Sequence, residues 1–127
     1  MQEARDHFPE FWKVITDDRK RTVPIHGDAL VKAYFFDVDK PDAGEHMWVS
    51  EVEYDGKIIS GTLVGAPEYV RSVKAKQKVS FPLERLSDWL YIQDGKAVGA
   101  FTVKLLRTRM SDKDRKSHDS NYPFRFD

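Results

Sequence analysis

Glu45 and His46 stand side by side, and a carboxylate next to an imidazole can trade protons near neutral pH if the fold holds them together. A second acid, Asp88, follows Ser87 and precedes Trp89. Either acid paired with His46 would suit a small hydrolase, and a triad of Ser87, His46 and Asp88 can be assembled on paper. Against this, neighbouring residues of an extended strand point to opposite faces. No G-x-S-x-G elbow or oxyanion turn accompanies the serine. The preferred reading is structural: Glu45 and His46 hydrogen-bond a neighbouring loop from a strand end, and Asp88 accepts backbone N–H groups at a strand start. Glu45, His46 and Asp88 are therefore expected to tie the heads of two hairpins together. With Trp48 and Trp89 they form the candidate binding set.

Trp48, Trp89, Tyr91 and Phe101 suggest either a core or an exposed platform that stacks bases or grips peptides. The core reading predicts that both tryptophans are mostly buried. Arg71, Lys74, Lys76 and Lys78 form a basic run. Yet Lys plus Arg and Asp plus Glu number 21 each, so the chain lacks the net positive field that draws nucleic acid or anionic membrane. Both are disfavoured as partners. The histidines, His7, His26, His46 and His118, show no metal-ligand spacing, and there is no cysteine. GTLVGAP matches neither a Walker A loop nor a dinucleotide turn. No metal and no cofactor is expected.

The elements that must position these residues follow from periodicity. Phe8, Phe11, Trp12 and Ile15 predict a helix over 7–17, with Asp6 as its cap and Pro9 in its first turn. A polar connector through Pro24 and Gly27 follows. ALVKAYFFDV, Ala29 to Val38, reads as a strand ended by the turn cluster DKPDAG. Asp55-Gly56 and Asp94-Gly95 predict two hairpins with two-residue type I′ turns. The first register sets Val52 against Ile59, Ser50 against Gly61 and Trp48 against Leu63 on the core face, leaving Met47 and Val49 on the other. The second sets Tyr91 against Val98, Leu90 against Gly99 and Trp89 against Ala100. Lys78 to Phe81 is a further strand, with Pro82 at its end. Phe101 to Met110 carries a helical apolar face, and Ser111 with Asp114 starts a second short helix. The tail SNYPFRFD is expected to pack loosely or lie free.

The blocks GEHMWVSEV, GKIISGTLVGAP, KVSFPLERLSDWLYI and GKAVGAFTVKLLRTRM resemble the bacterial family catalogued as domain of unknown function 2314, over about Val31 to Met110. Ala100 departs from the pattern, standing where a second glycine often follows Gly99. The family is uncharacterised, so the resemblance implies no activity.

A chain of 127 residues with 40% apolar content builds one core. The expected organisation is a single domain, 1–127: the helix at 7–17, a β-rich core at 29–100, and C-terminal helices and tail at 101–127. The fold class is α+β, with a small, strongly curved antiparallel sheet or an SH3-like barrel of five to six strands. The opening MQEARDHFPEFW has no signal-peptide pattern, and no run approaches the ~18 apolar residues of a membrane span. A cytoplasmic location is expected. The function expected is a non-catalytic protein-interaction or regulatory module, such as an immunity or stress-associated factor, with another protein as partner. The hydrolase built on His46 and a nucleic-acid-binding barrel are the alternatives.

Overall fold

A computed structural model describes residues 2–19, 29–93, 95–120 and 125–126. The connector with His26, the Asp94 half of the second turn and tail residues 121–124 lie outside the described residues. In chain order the elements are α1 (Gln2–Arg19), β1 (Ala29–Phe35), β2 (Glu45–Tyr54), β3 (Ile58–Leu63), β4 (Lys78–Pro82), a 3₁₀ turn (Leu83–Arg85), β5 (Leu86–Gln93), β6 (Lys96–Gly99), α2 (Phe101–Thr108) and α3 (Asp112–Asp119).

The six strands form one antiparallel sheet in the order β4-β3-β2-β1-β5-β6. β4 and β6 are its edges, so the sheet is open and does not close into the SH3-like barrel. It is strongly curved. Three inter-strand spacings separate β1 from β4, about 14 Å in a flat sheet, yet the rings of Phe35 and Phe81 meet edge to face at 5.9 Å. Arg85 likewise lies over the ring of Phe36, 4.6 Å from its centroid.

α1 fills the hollow. Ala4, Phe8, Phe11 and Ile15 recur at helical spacing and are buried against Val31, Val49, Val52, Leu63 and Trp89. The helix is longer than its sequence signals suggest. It already runs at Gln2, so Pro9 sits in its interior, and Asp6 accepts a hydrogen bond from the Gln2 side chain (2.8 Å) instead of capping. An interior proline costs about 3 kcal/mol, and the burial of four apolar residues along one stripe offsets it. A second, smaller cluster lies on the other face of the sheet, where α2 packs: Leu90, Ala97, Ala100, Val103 and Phe126, with Leu30, Trp48 and Ile92 beside them.

The second hairpin has the expected register, with Tyr91 opposite Val98 and Leu90 opposite Gly99. The first does not. Tyr54 pairs with Ile59 and Val49 with Leu63, with an irregularity between Ser50 and Glu53. Two features cause the shift. The Asp55 carboxylate accepts the N–H groups of Lys57 and Ile58 (2.9 and 2.8 Å), opening the turn beyond two residues. Glu51 adopts a positive φ of 54°, a bulge that turns the strand over. Met47 and Val49 therefore join Val52 in the main core, and Trp48 moves to the opposite face, half-buried. Gly61 is where a Cβ would strike the Ser50 carbonyl and the Val49 side chain, so it admits the bulged strand.

The tail is not free. Arg125 donates to the Gly95 carbonyl (2.8 Å) and accepts from Ala97 (2.7 Å), alongside β6, and Phe126 is buried. Ser111 caps α3 as its sequence suggests, its hydroxyl accepting the Asp114 N–H.

Candidate functional site

Glu45 and His46 open β2 and diverge. The Glu45 carboxylate turns to the loop before β4 and accepts three consecutive backbone N–H groups, from Glu68, Tyr69 and Val70, each at 2.8 Å. These bonds hold its pKa below the usual carboxylate value. Asp37, two residues beyond β1, extends the same grip by accepting from Arg71 (3.0 Å) and Ser72 (2.8 Å), and its pKa is lowered for the same reason. Five successive amides, 68–72, are thus fixed by two carboxylates. A surface groove lies beside them, lined by Asp39, Lys40, Gly44, Pro67, Tyr69 and Arg71.

His46 turns to the other face, where its Nδ1 meets the Ser87 hydroxyl and its ring lies 5.1 Å from that of Tyr34. The contact depends on an irregularity. Lys32 pairs with Asp88 but Ala33 pairs with Leu86, leaving Ser87 as an extra residue in β5. A bulge breaks the alternation of faces, which is how Ser87 and Asp88, adjacent in sequence, both serve the α2 side of the sheet. Burial, and then the Lys32 cation, push the His46 pKa down, so the imidazole is neutral at neutral pH.

Asp88 is fully buried and does not reach His46. Its Oδ1 accepts from the N–H groups of Trp89 and Phe101 (both 2.8 Å), and its Oδ2 from the N–H (2.9 Å) and hydroxyl (2.6 Å) of Thr102. Four donors fill its acceptor positions. The result is a helix cap from a distant strand. Ala100, the residue before α2, has φ 51° and offers no side-chain cap, and Asp88 supplies the anion at this helix N-terminus. Lys32 completes the cluster, donating to the Thr102 hydroxyl (3.2 Å) with its ammonium 4.7 Å from the centre of the Trp48 ring. Burial lowers the Lys32 pKa, and Asp88 partly offsets this.

The arrangement does not match a triad. Ser87 is 1% exposed, closed to a substrate, and Asp88 is bonded elsewhere. The aromatic platform is also divided: Trp89 lies in the main core, 4% exposed, its indole N–H on the Ala4 carbonyl (2.9 Å) and its ring against Phe11, Tyr91 and Phe101, whereas Trp48 is on the opposite face. Among the described residues no three His, Asp or Glu side chains converge as metal ligands, and no helix is long and apolar enough to cross a membrane. Asp37, Lys32 and Thr102 carry as much of the site as the residues singled out by sequence. Only Lys32 leaves a trace there, as a lone cation inside the apolar run ALVKAYFF.

An open antiparallel sheet with one helix in its hollow, two helices behind and carboxylates gripping backbone amides defines an α+β domain with no assembled catalytic centre among its candidate residues. The chain belongs to the family described as "Uncharacterized protein conserved in bacteria (DUF2314)", whose profile matches residues 1–126. It is 31% identical over 126 residues to a protein of Neisseria meningitidis serogroup B named "Putative ankyrin repeat protein", covering 98% of this chain and 50% of that protein. It is 30% identical over 59 residues to "Uncharacterized protein YegJ" of Escherichia coli K12, covering 46% of this chain and 39% of that one. The chain thus spans half or less of the length of these curated relatives. No solved structure matches it.

Proposed function

We propose that the chain is a non-catalytic protein-interaction module of a cytoplasmic regulatory factor, of the immunity or stress-associated kind. The observation that carries this reading is how the candidate acids are used. Glu45 and Asp88 accept backbone N–H groups, three and three respectively, and Asp88 a hydroxyl besides. A general acid or base needs its proton-accepting position facing a substrate, and here those positions face the fold. The name of the Neisseria relative supports binding in the same direction, because ankyrin repeats stack into extended binding surfaces.

The test is turnover of activated substrates, p-nitrophenyl acetate and p-nitrophenyl phosphate, by the wild-type protein and by His46→Ala and Ser87→Ala. All three are expected to match the buffer rate. A wild-type rate that His46→Ala abolishes without lowering the melting temperature would establish the hydrolase instead.

A further inference from the structure

The two edges of the sheet differ. The β6 edge is covered by the chain's own tail, through the hydrogen bonds of Arg125 to Gly95 and Ala97. The β4 edge carries no further strand among the described residues. The pairing of β4 with β3 shows which of its groups are spare: Leu63 donates to the Gln77 carbonyl (2.9 Å), so along the ladder Gly61–Val79 and Ile59–Phe81 are the bonded pairs. Lys78 and Ser80 lie between them and direct their N–H and C=O groups away from β3, where among the described residues nothing pairs with them. Pro82, without an N–H, ends the row.

Beside this edge runs a groove lined by Phe35, Phe36, Val73, Gln77, Ser80 and Arg85. Lys78 lines it too, Lys74 and Lys76 are exposed just before β4, and among the described residues no carboxylate pairs with the three. Arg85 adds a fourth cation, laid over the Phe36 ring. Lysines on an edge discourage self-pairing by repulsion, so a second copy is a poor occupant. They favour a strand of opposite charge.

We propose that β4 docks an acidic, extended segment of a partner protein, which adds to the sheet as a further strand. The main-chain groups of Lys78 and Ser80 supply the hydrogen bonds, the groove, which sets Phe35, Phe36 and Val73 among polar groups, takes alternate side chains, and the lysines select the charge. This deepens the protein-interaction reading and rests on it.

The experiment uses the whole chain with a capped peptide, Glu-Val-Glu-Thr-Glu-Val-Glu, and its counterpart with lysine for glutamate, followed by amide NMR shifts and hydrogen exchange. The acidic peptide is expected to shift the Lys78 and Ser80 amides, slow their exchange by at least about tenfold, and bind more weakly as salt rises. Lys76→Glu with Lys78→Glu is expected to weaken it by at least about tenfold and to favour the basic peptide. Ser80→Pro removes an outward N–H and spares the β3 ladder, so it should abolish binding at an unchanged melting temperature. If that variant unfolds, the charge reversal decides alone. The proposal is overturned by no shift at Lys78 and Ser80 at millimolar peptide, by equal binding of both peptides, by a single-stranded oligonucleotide that binds these lysines more tightly than the peptide, or by dimerisation through β4. Shifts confined to the groove beside Tyr69 would also overturn it while leaving the interaction reading intact. Ester turnover would remove that reading without touching the peptide result.

Discussion

Replacing Asp88 by Asn keeps the size of the side chain and takes away its charge. The carboxylate has two donors on each oxygen: Trp89 and Phe101 N–H on one, Thr102 N–H and hydroxyl on the other. An amide presents one oxygen and one NH₂, and even with the NH₂ toward Thr102, whose hydroxyl can turn to accept, the Thr102 N–H meets another donor. Hydrogen bonds to a charged group contribute about 1.5–3 kcal/mol each, so losing even that one costs roughly 1.5–3 kcal/mol. The Lys32 ammonium loses its counter-charge in the same step. At this chain length each kcal/mol moves the melting temperature by about 4 °C, giving a fall of roughly 6–12 °C. Thermal and urea unfolding followed by circular dichroism would measure it. A midpoint within about 0.5 kcal/mol of wild type, the scatter of an ordinary surface substitution, would refute the capping role.

Trp89→Ala should cost about 3–5 kcal/mol by urea unfolding, the range for a large core aromatic, and Trp48→Ala clearly less because its ring is only half-buried. Gly56→Val and Gly95→Val should each cost about 1 kcal/mol or slightly more, since a Cβ at either meets nothing within 4 Å and only the positive φ (102° and 76°) opposes it. Gly99→Ala should cost more than either in the same assay, because there a Cβ also strikes Trp89. The depressed carboxyl groups of Glu45 and Asp37 stabilise the fold above their unfolded pKa and lose that contribution as pH falls through the folded one, so Glu45→Gln should flatten the acid limb of a melting-temperature profile. His46 is also depressed; its contribution is complete above the unfolded value of 6.5 and is lost on acidification through its folded pKa, so His46→Gln should remove a loss of stability that begins below about pH 6.5.

The regular parts of this fold are legible in its sequence and the irregular ones are not. Gly95 and the alternating strands around it set the second hairpin correctly. The first hairpin fails at Glu51, whose positive φ nothing in the run SEVEY announces, and a single bulge exchanges the faces of Trp48 and Val49. Pro9 reads as a helix start because proline is cheapest there, yet the buried face of α1 continues back to Ala4. At the site, the divergence of Glu45 from His46 follows from strand geometry alone. The meeting of His46 with Ser87 does not, because it needs the β5 bulge. The amides at 68–72 are invisible in sequence, since any residue supplies an N–H. Only their partners, Glu45 and Asp37, carry side-chain information.

The acids of the candidate site act as clamps on the backbone. Residue-resolved hydrogen exchange in wild type, Glu45→Gln and Asp88→Asn tests this most directly. Glu45→Gln is predicted to release protection at Glu68, Tyr69 and Val70 while Phe101 and Thr102 keep theirs, and Asp88→Asn to release Phe101 and Thr102 while the 68–70 loop stays protected. Unchanged exchange at those amides in both variants would contradict it.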